Sequence, residues 1–131
     1  MTDEPSRIDE RLAAARAGLD RVAPEDLADQ VAAGALVIDL RPEADRWREG
    51  ALPDAVVVER IHLEWRLDRT SGAALPGVDD DRVVILVCNE GYASSLAADD
   101  LRRLGLARAT DLEGGYRAWR RQADSLGAPP P

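Results

Sequence analysis

The chain holds a single cysteine, and its position is what makes chemistry conceivable. Cys88 ends the longest apolar run, Val83 to Cys88, and Asn89, Glu90, Gly91, Tyr92, Ala93 and Ser94 then form a tight connection into a helix. Gly91 can adopt a positive φ, and the small side chains of Ala93, Ser94 and Ser95 let successive backbone N–H groups converge. Such a loop, closed by a helix N-terminus, is an anion nest that favours a thiolate and can hold a sulfur anion. In open parallel sheets ligands bind beyond the carboxyl ends of the strands, the rim on which Cys88 would stand. Cysteine is also among the most buried residue types, so taken alone Cys88 reads first as a small core residue at a strand end.

Other constellations carry less chemistry. His62 has no G-x-S-x-G motif to serve at Ser94 or Ser95, which argues against a hydrolytic triad. One His and one Cys are too few for a zinc cage. Asp79 to Asp81 lack the spaced ligands of a calcium loop and read as a solvated turn. Glu113 to Tyr116 has no lysine and no second glycine at phosphate-loop spacing, so a helix-entry turn is expected there. Asp39 and Arg41 fall at a strand end near the same rim and are expected to serve structure, as an ion pair with a neighbouring helix. Tyr116 and Trp119 read as core. No cofactor is expected.

The elements that must position Cys88 follow from periodicity and turn chemistry. Ser6 can cap a first helix with Asp9 three residues on, and Ile8, Leu12, Ala15 and Leu19 form its apolar stripe. Val22 and Ala23 make a short strand before Pro24, which starts a helix running to about Ala33, with Gly34 as its stop. Ala35 to Leu40 is a buried strand, Pro42 opens a short helix carrying Trp47, and Ala55 to Val58 is another strand. Ile61 to Leu67 fits both periods, with helix preferred, and Thr70 to Asp81 is a loop. Arg82 to Cys88 is the clearest strand. A helix from about Ser94 to Leu104 should bury Ala97, Leu101 and Leu104. A strand near Ala109 to Leu112, a Gly-Gly turn and a helix through Tyr116 and Trp119 complete the alternation. That alternation, with unbroken apolar strands, predicts an α/β fold: a three-layer α/β/α arrangement with a central, mainly parallel sheet.

With 131 residues, 45% apolar and 32% charged, the composition is that of one globular domain. All 17 basic residues are Arg, yet the net charge is −8, which argues against a nucleic-acid footprint or an anionic membrane surface. No apolar run is long enough to span a bilayer, and the acidic opening residues have no apolar core of a secretory signal. A lone cysteine forms no intramolecular disulfide, so a reducing cytoplasm is the expected compartment. The expected organisation is an N-terminal helical extension over residues 1–21 packed on a domain over 22–123, then a frayed tail over 124–131.

Five segments, in order, resemble the rhodanese-like family over roughly Val22 to Arg121. Pro24 to Leu27 resembles its opening helix, and Val37-Ile-Asp-Leu-Arg41 its strand ending in Asp-x-Arg. Trp47 to Ala55 is similar to the segment that ends in His-Ile-Pro-Gly-Ala, with Ala51 in place of the His and Asp54 in place of the Gly. Val84 to Ser94 resembles the active-site strand and loop, and Asp111-Leu-Glu-Gly-Gly-Tyr-Arg-Ala-Trp119 the closing Leu-x-Gly-Gly-x-x-Ala-Trp. The resemblance implies a rhodanese-like fold and a sulfurtransferase. Cys88 would be the catalytic cysteine, forming a persulfide with sulfur from a sulfane-sulfur donor and passing it to a thiol or other small nucleophile. Asn89, Glu90, Gly91, Tyr92, Ala93 and Ser94 would be its substrate-binding loop. Active members often carry Arg where Asn89 and Ala93 stand, and Glu90 adds a negative charge, so poor use of thiosulfate is expected. A catalytically weak module of the same fold, binding or sensing a protein partner, is the alternative. A Cys-x5-Arg phosphatase or arsenate reductase is set aside, because Ser94 occupies the arginine position.

Overall fold

A computed structural model describes residues 4–127 of the chain. Four parallel strands, β1 (Leu36–Asp39), β2 (Val56–Val57), β3 (Val84–Val87) and β4 (Ala109–Asp111), form one sheet in the order β2-β1-β3-β4. Leu36 to Asp39 pair in register with Val84 to Val87, and Val84 to Leu86 with Ala109 to Asp111. A bridge between Val22 and Leu112 extends pairing beyond β4. Side chains alternate across a strand, so the apolar runs supply two cores at once. Ile38, Val84 and Leu86 pack with Leu19, Leu63, Leu67, Ala97 and Leu101. Val37, Ile85 and Val87 pack with Val22, Leu27, Leu112 and Tyr116. Burial on both faces is why these strands show no polar alternation.

The helices are α1 (Arg7–Ala17), α2 (Leu27–Ala32), α3 (Glu43–Glu49), α4 (Leu63–Leu67), α5 (Ala93–Leu104) and α6 (Gly115–Ser125). The Asp9 N–H donates to Ser6 Oγ at 3.1 Å, which fixes the start of α1, and the ambiguous segment before Asp68 is a 3₁₀ turn followed by α4. The helix expected from Pro24 opens as a 3₁₀ turn over Pro24–Asp26 before α2. No helix among the described residues is long and apolar enough to cross a membrane.

Four details differ from the sequence reading. Ile8 is 57% exposed, because only the C-terminal half of α1, through Leu12 and Ala15, reaches the core. Leu104 is likewise exposed at the last residue of α5, whereas Leu101, one turn earlier, is fully buried. Asp39 and Arg41 pair with each other rather than with a helix, and the Arg41 guanidinium lies 3.8 Å over the ring of Tyr116 on α6. The residues assigned to a tail begin inside α6, which continues to Ser125, while Ala128 to Pro131 lie outside the described residues.

Candidate active site

Cys88 follows β3 directly and is half-buried at the carboxyl rim of the sheet. The Gly91 N–H donates to its Sγ at 3.2 Å and the Ser94 N–H at 3.4 Å. The Ser94 amide, in the first turn of α5, donates to the sulfur rather than to a carbonyl, so the helix end adds its partial positive charge there. Gly91 makes the turn possible: its φ is +83°, and a Cβ there would stand 2.7 Å from the Gly114 nitrogen. Gly115 is equally constrained, since a Cβ would fall on the Cys88 carbonyl oxygen at a φ of +65°. The two glycines of the closing motif thus let α6 approach the loop. Tyr116 N–H donates to Cys88 O at 2.8 Å and Arg117 N–H to Asn89 O at 3.1 Å.

Beneath the loop lies a buried polar hub that sequence reasoning missed. Asp111, at the end of β4, is fully buried and its Oδ2 accepts from Ser94 Oγ at 2.8 Å and Ser95 Oγ at 2.7 Å. Arg21 neutralises it through Nε to Oδ1 at 2.8 Å and Nη2 to Oδ2 at 3.3 Å. With its proton committed to Asp111, Ser94 Oγ presents a lone pair to the thiol S–H of Cys88 at 3.3 Å. The available signal was an Asp where the closing motif begins and paired serines at a helix start.

The other loop side chains are arranged less simply than their order suggests. Glu90 does not stand as a lone charge beside the sulfur, because it forms an ion pair with Arg117. Arg117 also donates to both Glu49 oxygens, at 2.9 and 3.1 Å. That hydrogen bond, outweighing the partial burial, holds the Glu49 carboxyl below the usual carboxylate range. Tyr92 and Ala93 are exposed, and Asn89 Oδ1 is buried without a partner. Asp54, in place of the Gly of the resembling segment, takes a φ of +65°, which aspartate tolerates better than most residues. His62 is exposed in the turn before α4, and Asp80 of the acidic loop pairs with Arg69.

Known proteins resemble this chain in sequence and in fold. A curated thiosulfate sulfurtransferase, GlpE of Pseudomonas savastanoi pv. phaseolicola, is 27% identical over 100 residues, 76% of this chain and 86% of that protein. The adenylyltransferase and sulfurtransferase uba4 of Aspergillus terreus is 36% identical over 67 residues, 41% of this chain, and the match spans only 14% of the fungal protein. Among solved structures, a Rhodopseudomonas palustris protein of unknown function, described as a possible tyrosine phosphatase, superposes with a TM-score of 0.80 at 28% identity, covering 98% of each chain. The human single-domain sulfurtransferase TSTD1 superposes with a TM-score of 0.63 at 24% identity, over 78% of this chain and 96% of that one. The family model of the rhodanese-like domain matches residues 23–122, from the residue before the opening turn to the middle of α6. With the sheet order, the cysteine rim and the glycine-backed loop already in hand, that match settles the kinship: the chain belongs to the rhodanese-like domain family.

Proposed function

We propose that the chain is a sulfurtransferase in which Cys88 carries the sulfur. The observation that supports this most is the pair of amides, Gly91 and Ser94, aimed at a half-buried Sγ on the sheet rim. In the first step the Cys88 thiolate attacks the terminal sulfur of a sulfane donor. A Cys–S bond to that sulfur forms, the donor S–S bond breaks, and its electron pair leaves with the donor remainder. The new outer sulfur is anionic and is held by loop amides, so no acid or base is required. An external thiol or other nucleophile then attacks the outer sulfur, the persulfide S–S bond breaks, and its electron pair restores the Cys88 thiolate. With one cysteine in the chain, no internal thiol can discharge the persulfide. Asn89, Glu90, Gly91, Tyr92, Ala93 and Ser94 form the substrate loop in this reading. A reducing, cytoplasmic compartment suits such a thiol. The phosphatase chemistry suggested for the Rhodopseudomonas protein would need an arginine to hold phosphoryl oxygens, and Ser94 stands at that place in this loop.

Intact-mass measurement after incubation with polysulfide tests the reading. One added sulfur, removed by dithiothreitol, is the expected result. No gain with any sulfane donor would overturn it and favour a binding module of the same fold.

The loop also predicts which donor is used. No arginine side chain belongs to residues 89–94, so a dianionic donor meets amide dipoles but no loop cation. A charge about 5 Å from the reacting anion, at an effective dielectric of about 40, is worth on the order of 1.7 kcal/mol, or more than tenfold in rate. A neutral or singly charged sulfane donor, such as a protein persulfide, should therefore outperform thiosulfate, and Ala93→Arg should raise thiosulfate turnover about tenfold. Glu90→Ser should add less than Ala93→Arg, because Glu90 pairs with Arg117, a cation it shares with Glu49. Equal thiosulfate turnover by wild type and Ala93→Arg would refute the electrostatic account.

A further inference from the structure

Two arginines outside the family match reach the active loop. Arg16, in the last turn of α1, donates from Nη2 to Gly91 O at 2.8 Å, and Arg21 Nη2 donates to the same oxygen at 3.0 Å. Arg16 Nε also donates to Ser95 Oγ at 3.0 Å, and its guanidinium lies 5.5 Å from the centre of the exposed Tyr92 ring. The two cations differ in one respect. Arg21 is neutralised by the buried Asp111, whereas Arg16 enters no ion pair among the described residues. Its contacts are a carbonyl, a hydroxyl and an aromatic face. Arg16 therefore brings a net positive charge to a loop whose own residues bring none.

The path from that charge to the sulfur is short. Gly91 donates its own N–H to Cys88 Sγ, and its carbonyl is what Arg16 grips. Backbone dimensions then place the guanidinium within about 10 Å of the sulfur. A donor on the Gly91 carbonyl also polarises the peptide unit that ends in the Tyr92 N–H, which strengthens it as a donor.

We propose that Arg16 is a positioning residue for Cys88: it fixes the Gly91 peptide so that the loop amides face the sulfur, and its unneutralised charge favours anionic sulfur and anionic reagents there. The N-terminal segment thus places one cation behind the loop, at about twice the distance of a loop arginine and with a correspondingly weaker effect on the sulfur. This rests on the reading of Cys88 as the reactive sulfur, but its test uses no sulfur donor.

Cys88 is the only cysteine, so alkylation of the full chain reports on it alone. The readout is the ratio of the rate with anionic iodoacetate to the rate with neutral iodoacetamide, at fixed pH and low salt. Arg16→Gln should lower that ratio about threefold to fivefold, the effect of one charge about 10 Å away at an effective dielectric of about 40. Arg16→Lys should restore most of it, because lysine keeps the charge while losing the fork. Arg69→Gln, on the acidic loop, should leave it unchanged. A ratio unaltered in Arg16→Gln, with both rates moving together, would reduce Arg16 to a structural tie and overturn the proposal. If Arg16→Gln does not fold, the wild type decides: its ratio should fall in about 0.5 M salt, where the charge is screened, and a salt-independent ratio overturns the proposal. A shifted ratio in a protein that takes up no sulfur would sustain Arg16 while sinking the sulfurtransferase reading.

Discussion

Cys88→Ser should take up no sulfur from polysulfide and should lower transfer by about a thousandfold or more, while the protein keeps its fold. A serine hydroxyl is far less acidic than a thiol and a weaker nucleophile towards sulfur, so the same amides cannot activate it. The substitution itself is mild. The site is half-buried, and the Gly91 and Ser94 N–H groups that meet Sγ would meet an oxygen instead. A stability change within about 1 kcal/mol is therefore expected, with coincident thermal melts for the two proteins. The separation of the two readouts is what gives the comparison force. Intact-mass spectra that show equal sulfur gain by mutant and wild type would dismiss Cys88 as the carrier, since no second cysteine exists to take its place.

The layers of the fold were legible because the apolar pattern is dictated by the sheet. Val84 to Val87 and Val37 to Ile38 are apolar on consecutive positions, which only a strand covered on both faces requires, and both faces are covered. Helix limits were legible where a cap or a glycine marks them, as at Ser6 and Gly105. Errors occurred where an apolar residue sits at the end of a helix. Periodicity assigns Ile8 and Leu104 to a buried stripe, but a helix crossing a curved core touches it over only part of its length.

Within the site, what runs along the chain was readable and what crosses it was not. Cys88, Gly91 and Ser94 are neighbours in sequence, and the loop that joins them follows from strand, glycine and helix start. The residues that brace that loop are distant in sequence. Asp111 lies 17 residues from Ser94, and Arg16 lies 75 residues from Gly91. Glu90 shows the cost of reading locally. Its charge looked unopposed beside the cysteine until Arg117, brought there by the close approach of α6 at Gly115, was found to pair with it. In an arginine-rich chain the type of a residue says little about its partner, because surface arginines and bracing arginines are written alike.

The largest loss of stability should come from Arg41→Ala. Arg41 and Asp39 are each 1% exposed and are joined through Nε to Oδ1 at 3.0 Å and Nη2 to Oδ2 at 2.8 Å. The Arg41 N–H also donates to Asp39 Oδ1 at 3.0 Å, and Nη2 to Gly50 O at 2.9 Å. Truncating the arginine strands a buried carboxylate with one backbone donor, a change that costs about 3–5 kcal/mol. For a domain with a total stability of about 5–15 kcal/mol, that should lower the melting temperature by roughly 10–20 °C. Arg41→Lys should lose less, because an ammonium keeps the charge but cannot make the two-pronged contact or stack as flatly on Tyr116. Asp39→Leu combined with Arg41→Met should recover most of the loss, since a buried pair exchanged for apolar side chains of similar volume is often neutral. Activity gives an independent check. Tyr116, beneath the Arg41 guanidinium, donates its N–H to the Cys88 carbonyl, so Arg41→Ala should slow sulfur uptake even at temperatures where the protein is fully folded. A loss below about 1 kcal/mol in chemical denaturation would mean that the pair is solvated, and would remove the ion pair as a support of the site.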